Sequence, residues 1–169
     1  MARRDDEAEE DMNGLPSAVE LTRTLIQHDT VNPPGNEQQS AELIGALLED
    51  AGFSVTVSAY APGRTSLVAR IGGSEDTPPL CFTGHLDTVP LGRAPWSWDP
   101  FAADTSNGRL FGRGASDMKS GVAAILVAVL QLAGHLRQGP GVVLVLTAGE
   151  ETGTEGARHL VEVGDLLGP

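Results

Sequence analysis

The sequence predicts an α/β fold around a layered sheet, on three observations. Ala41, Ile44, Leu47 and Leu48 recur at helical spacing, while Phe53, Val55 and Val57 alternate with polar residues as in a half-buried strand. Residues 142–146 form a continuous Val-Val-Leu-Val-Leu run. A run of that kind marks a strand covered on both faces, the central parallel strand of a sheet flanked by helices. Strands that alternate with helices give a layered α/β architecture.

The elements follow in order. Residues 1–14 carry Asp5, Asp6, Glu7, Glu9, Glu10 and Asp11 against Arg3 and Arg4, the composition of a disordered acidic arm. Ser17-Ala18-Val19-Glu20 is a capping-box pattern that opens a helix to about residue 28. Thr30-Val31-Asn32-Pro33-Pro34-Gly35 cannot continue it and forms a loop. A second helix spans residues 37–50, with Gly52 as its C-cap. Strands follow at 53–58, at 66–71 (turned by Gly72-Gly73) and, buried, at 80–83. Residues 90–107 form a long loop holding Trp96, Trp98, Pro100 and Phe101, and 109–111 a short edge strand. A helix over 118–135 is broken by Gly139-Pro140-Gly141, and a last helix begins at residue 154. With no internal repeat or linker, residues 15–169 make one domain.

Composition limits the partners. The net charge of -12 repels phosphate backbones and anionic headgroups, which argues against nucleic acid and membrane surfaces. The apolar run at 121–133 is shorter than the ~20 residues of a membrane span and fits a buried helix. The N-terminus lacks the apolar stretch of a secretory signal. Cys81, the single cysteine, excludes an intrachain disulfide, suits a cytoplasmic location, and is expected in the core.

The chemistry gathers in three segments. In Gly84-His85-Leu86-Asp87, residues two apart on an extended chain share a face. His85 can then face a metal while Asp87 accepts its second ring N–H. Asp117, in Gly112-Arg113-Gly114-Ala115-Ser116-Asp117, precedes the long helix and is either a dipole-favoured helix start or a metal-bridging carboxylate. Lys119 beside it is expected as a local counter-charge. Glu150 and Glu151 directly follow the central strand, where α/β folds place their sites. Adjacent carboxylates repel unless a cation neutralises them or one pKa rises. A division of labour follows, with one glutamate on metal and the other handling the proton of an attacking water. His28, His135 and His159 sit near helix ends and are expected in surface or dipole roles. Trp96 and Trp98 either cover the sheet or wall a substrate entrance.

Together, in this order, the three segments resemble the M20 family of metallohydrolases, the group of acetylornithine deacetylase, succinyl-diaminopimelate desuccinylase, aminoacylase and carboxypeptidase G. The resemblance covers about residues 17–167, and the Asn32-Pro33-Pro34-Gly35 and 96–101 segments also look like family segments. It implies a three-layer α/β/α sandwich with a largely parallel central sheet, zinc-exopeptidase-like and incomplete. It also implies that residues 15–169 are the N-terminal portion of the catalytic domain, without the dimerisation domain through which full-length members form homodimers. By position, His85 looks like a ligand of one metal ion and Asp87 the carboxylate behind it. Asp117 resembles the ligand bridging two ions, Glu151 a ligand of the second ion, and Glu150 the general base. Gly149 departs from the pattern, because an acidic residue is common there.

The implied reaction is hydrolysis of an amide in an N-acyl amino acid or small peptide by a metal-activated water, its proton passing through Glu150 to the leaving amine. Two divalent ions are implied, zinc foremost, with cobalt or manganese as neighbours. A dipeptidase or carboxypeptidase of the same family is the near alternative. A non-catalytic truncated paralogue with a metal- or partner-binding role, or a mononuclear metal-binding module, is the alternative of another class. The family pattern supplies further ligands beyond residue 169, whereas a catalytic zinc normally holds about three protein ligands. A 169-residue chain by itself is therefore expected to bind metal weakly and turn over little. Robust amide hydrolysis by that isolated chain with added zinc or cobalt is the result that would overturn the expectation.

Overall fold

A computed structural model describes residues 14–74 and 77–164. The acidic arm expected over residues 1–14 lies, apart from Gly14, outside the described residues. Helix α1 (Ala18–Gln27) begins at the expected capping box. The Ser17 hydroxyl accepts from the Glu20 N–H at 3.2 Å, and the Glu20 carboxylate accepts from the Ser17 N–H at 2.8 Å. Helix α2 (Gln38–Asp50) follows the Asn32–Gly35 loop and ends before Gly52, whose φ of +88° returns the chain toward the sheet. Strands β1 (Ser54–Ala61) and β2 (Arg64–Ile71) form a hairpin, and β3 (Leu80–His85) comes next. A two-residue pair, β4 (Thr105–Ser106) and β5 (Arg109–Leu110), lies in the long loop. Then come α3 (Ser120–Leu136), β6 (Val142–Thr147), α4 (Glu150–Gly153) and α5 (Glu155–Val163).

The main sheet has the order β1-β2-β6-β3. Strand β6 pairs parallel with β3, as expected of a central strand, but antiparallel with β2, and β2 pairs antiparallel with β1. Among the described residues the sheet is therefore mixed, because a short hairpin delivers β2 from β1 and leaves only the β3–β6 connection to cross over a helix. The layers are as predicted. One face buries Leu67, Leu144 and Leu146 against Leu25, Ile44 and Leu126 of α1, α2 and α3. The other face packs Val68 and Val143 on Leu160 of α5. Burying a side chain such as Leu144 contributes roughly 1.5–3 kcal/mol. The segment Ala115–Leu136 is long and apolar enough to pass for a membrane span, but Val122, Leu126, Val129 and Leu130 face this core.

Three expectations change with the packing. Among the described residues strand β3 is a terminal strand of the sheet, not a buried one, and Leu80 is 59% exposed. Cys81 is exposed for the same reason. Lys119 is not a counter-charge. It is buried, and its Nζ donates to the carbonyls of Leu25 at 2.7 Å and His28 at 2.8 Å, capping the end of α1. Burial depresses its ammonium to about 8. Lys119→Ala removes the donor to the His28 carbonyl, leaves the Leu25 carbonyl with only the His28 N–H at 3.3 Å, and opens a space behind it, so we expect a loss of about 2–4 kcal/mol in urea unfolding. An unchanged midpoint would mean that this cap contributes nothing.

Candidate metal centre

Strands β3 and β6 run parallel, so both carboxyl ends open at one edge of the sheet. His85, the last residue of β3, lies opposite Thr147, the last of β6. Gly84 lets α3 come close. A Cβ there would sit 3.1 Å from Met118 Cε and 3.2 Å from Val122 Cγ2. Met118 Sδ in turn accepts the His85 main-chain N–H at 3.3 Å. Asp117 stands in an irregular turn over Ala115–Lys119, with extended φ and ψ of -129° and 101°, and not in the helix proper. Its Oδ1 lies 3.2 Å from His85 Nε2. At the end of β6, Gly149 takes φ +72° and turns the chain into α4, which places Glu150 and Glu151 at its first turn. His85, Asp117 and Glu151 each offer a ligand atom, and all three atoms lie within 4.8 Å of one another. Glu150 stands beside them on the exposed side.

Asp87 is fully buried behind this group. Its Oδ1 accepts the Glu150 N–H at 3.0 Å, and its Oδ2 accepts the Glu151 N–H at 3.1 Å and the Asn32 Nδ2–H at 2.8 Å. His85 Nδ1 pairs with the Asp87 main-chain carbonyl at 3.0 Å, with carboxylate Oδ1 farther away at 3.6 Å. The ring is thus held by the Asp87 backbone, where the sequence leads one to expect the carboxylate as acceptor, and the side chain supplies charge. Burial opposes ionisation of Asp87. The His85 ring, Asn32 and the two amides outweigh it and hold the carboxyl at about 2. The Asp87 side chain in turn raises His85 to about 9 against the effect of burial, helped by the Asp87 carbonyl and Asp117. Burial, opposed by the His85 charge and reinforced by Asp117, Glu150 and Asp87, pushes Glu151 up.

An imidazole nitrogen converging with two carboxylates, and no thiolate, fits a divalent ion of the zinc type. The remaining candidates fall outside. His28 Nδ1 pairs with Ser40 Oγ at 3.0 Å and His159 Nε2 with Ser58 Oγ at 3.1 Å, and His135 lies in the last turn of α3. A cavity of about 410 Å³ adjoins the centre, lined by Trp96, Trp98, Phe111 and Arg113 beside Asp117 and Glu151. Trp98 stacks on Phe111 at 4.7 Å, and Arg113 lies over Trp96 at 4.9 Å. The tryptophans thus stand at the mouth of the site. Asn32 and Met118 carry no local signal of a place at the site beyond the double proline after Asn32, which restricts the shape of that loop.

The chain is similar to known proteins of one family. The profile of peptidase family M20/M25/M40 matches residues 81–168. The chain is 41% identical over 151 residues to a succinyl-diaminopimelate desuccinylase of Gluconobacter oxydans, covering 85% of this chain and 38% of that protein. It is 36% identical over 154 residues to an acetylornithine deacetylase of Vibrio atlanticus, covering 88% and 40%. Human carnosine dipeptidase 1 superposes with a TM-score of 0.70 at 27% identity, over 86% of this chain and 34% of that one. The chain thus spans well under half the length of the relatives it matches.

The charges at the centre set a pH dependence. His85 is raised above its ordinary 6.5, so its stabilising proton is fully present below about 6.5 and is lost as pH rises through about 9. A metal ion must displace that proton. Cobalt affinity should therefore rise about tenfold per pH unit up to about 9, with close to one proton released. Titration calorimetry in buffers of different ionisation enthalpy checks this, and a pH-independent affinity would contradict it.

Proposed function

The chain belongs to peptidase family M20/M25/M40, and from that premise we propose that the protein is a metal-dependent hydrolase cleaving the amide bond of an N-acyl amino acid or small peptide. The observation that carries the proposal is the convergence of His85, Asp117 and Glu151, with Asp117 and Glu151 lining an aromatic-walled cavity. His85 through Nε2, Asp117 and Glu151 would hold divalent metal, zinc in the first place and two ions in all. Ions bound there supply Lewis acidity, which acidifies water and polarises a carbonyl.

The chain's own groups do the rest. Asp87 fixes the His85 ring and, through two amide bonds, the start of α4. Glu150 lies next to the ligand Glu151 but faces solvent, which suits a carboxylate that takes a proton from the attacking water and returns it to the leaving amine. The cavity walled by Trp96 and Trp98 would take an acyl or side-chain group of the substrate and exclude water around it. A desuccinylase or deacetylase is the preferred substrate class, given the relatives described above. A dipeptidase is the second reading, favoured by the carnosine dipeptidase likeness.

The test is hydrolysis by the full-length protein of N-succinyl and N-acetyl amino acids against dipeptides, with zinc or cobalt added. We expect Glu150→Gln to lower kcat by about 10²–10⁴-fold while metal binding, followed by calorimetry, stays within about twofold, since proton transfer and not ligation is removed. Loss of metal binding in Glu150→Gln would reassign the residue as a ligand, and full activity would remove it from the mechanism.

A further inference from the structure

A buried network behind the centre is not used by the chemistry described so far. Glu37 and Arg64 form an ion pair, Nε to Oε2 at 2.9 Å, with Glu37 fully buried. Arg64 also donates from Nη1 to the Asn32 side-chain carbonyl at 3.2 Å and to the Pro34 carbonyl at 2.6 Å. These bonds fix which end of the Asn32 amide faces which way. Its NH₂ group is left to donate twice, to Asp87 Oδ2 at 2.8 Å and to Thr152 Oγ1 at 2.8 Å. The loop backbone is tied to the same place, because the Asn32 N–H donates to the Thr88 carbonyl at 2.8 Å.

The network converges on four consecutive residues. Glu37 Oε1 accepts the Gly149 N–H at 3.3 Å. Asp87, held by Asn32, accepts the N–H groups of Glu150 and Glu151. Thr152 accepts from Asn32 and donates to Glu155 Oε2 at 3.1 Å. Each of residues 149 to 152 is thus held by a group that leads back to the Glu37–Arg64 pair. A four-residue helix that follows a left-handed glycine has little stability of its own. Its position must come from such outside bonds. An asparagine is suited to the junction because one planar group accepts from the arginine and donates in two directions.

We propose that Asn32 is a positioning residue of the hydrolytic centre, acting through Asp87 and Thr152 to set where Glu150 and Glu151 stand relative to His85. This rests on the hydrolase reading given above. Asn32 touches none of the three ligand atoms, so its effect reaches the metal only through these intermediaries. Loss of such an outer partner commonly weakens metal affinity about 10-fold to 100-fold.

The test uses the full-length protein and two variants, Asn32→Ala and Thr152→Val. Cobalt affinity is measured by competition, with the visible absorption spectrum of the cobalt-loaded protein and kcat and KM as further readouts. Asn32→Ala is expected to weaken cobalt binding about 10-fold to 100-fold, to shift the cobalt spectrum, and to lower kcat with KM little changed. Thr152→Val, at an exposed position, should move affinity and spectrum the same way by a smaller amount, and it decides the matter if Asn32→Ala does not fold. A fall in melting temperature with cobalt affinity, spectrum and kcat unchanged would show a purely structural role and overturn the proposal. Affinity and spectrum need no substrate. If the parent protein binds cobalt but hydrolyses no amide, the hydrolase reading fails while the effect of Asn32 on the centre is still measured. If the parent binds no cobalt at all, both are overturned.

Discussion

The carboxylate of Asp87 ties together three parts of the chain that are far apart in sequence. It sits just past β3, yet its oxygens hold the first turn of α4, which follows β6, and the amide of a loop that follows α1. Removing a carboxylate from water costs several kcal/mol, even after relaxation. Hydrogen bonds to a charged acceptor contribute about 1.5–3 kcal/mol each. Three of them, with an imidazole alongside, outweigh the burial, which is why this buried acid stays ionised far below the usual carboxylate range. The ligand arrangement depends on that balance, because the same bonds that keep Asp87 charged also place Glu150 and Glu151.

The centre gathers charge in a graded way. Asp87 is sealed in, His85 nearly so, Glu151 is half-exposed, and Asp117 and Glu150 face solvent. A cation entering from the open side would meet the exposed carboxylates first and the buried imidazole last. In its absence, a proton on His85 partly neutralises the cluster, lying between Asp87 on one side and Asp117 on the other. Proton and metal ion are thus alternative occupants of one electrostatic well.

The sequence showed the site more clearly than its supports. Its periodicities located α1, α2, α3 and β6 closely, because repeats of 3.6 or 2 residues report local burial directly. The three acidic segments were legible because residue type, strand end and helix start all agreed. The edge position of β3 was not legible. An apolar run reads alike whether a strand has one neighbour or two, and only the β1–β2 hairpin decides where β3 falls in the order. The role of Lys119 is not legible because its partners lie about ninety residues earlier in the chain. The bonds of Asn32 are hidden for the same reason, since nothing local to a short loop tells which distant carboxylate its amide will meet.

The placement of β3 couples two properties that are usually separate. Its outer edge, Leu80 to His85, has no strand partner among the described residues, and an unpaired edge is a template for another strand. A segment that pairs there must run past His85 at the open rim of the centre. Extending the sheet and walling the metal site are thus the same structural event. Were metal occupancy and pairing at this edge coupled, reciprocity would make each change the other by the same factor.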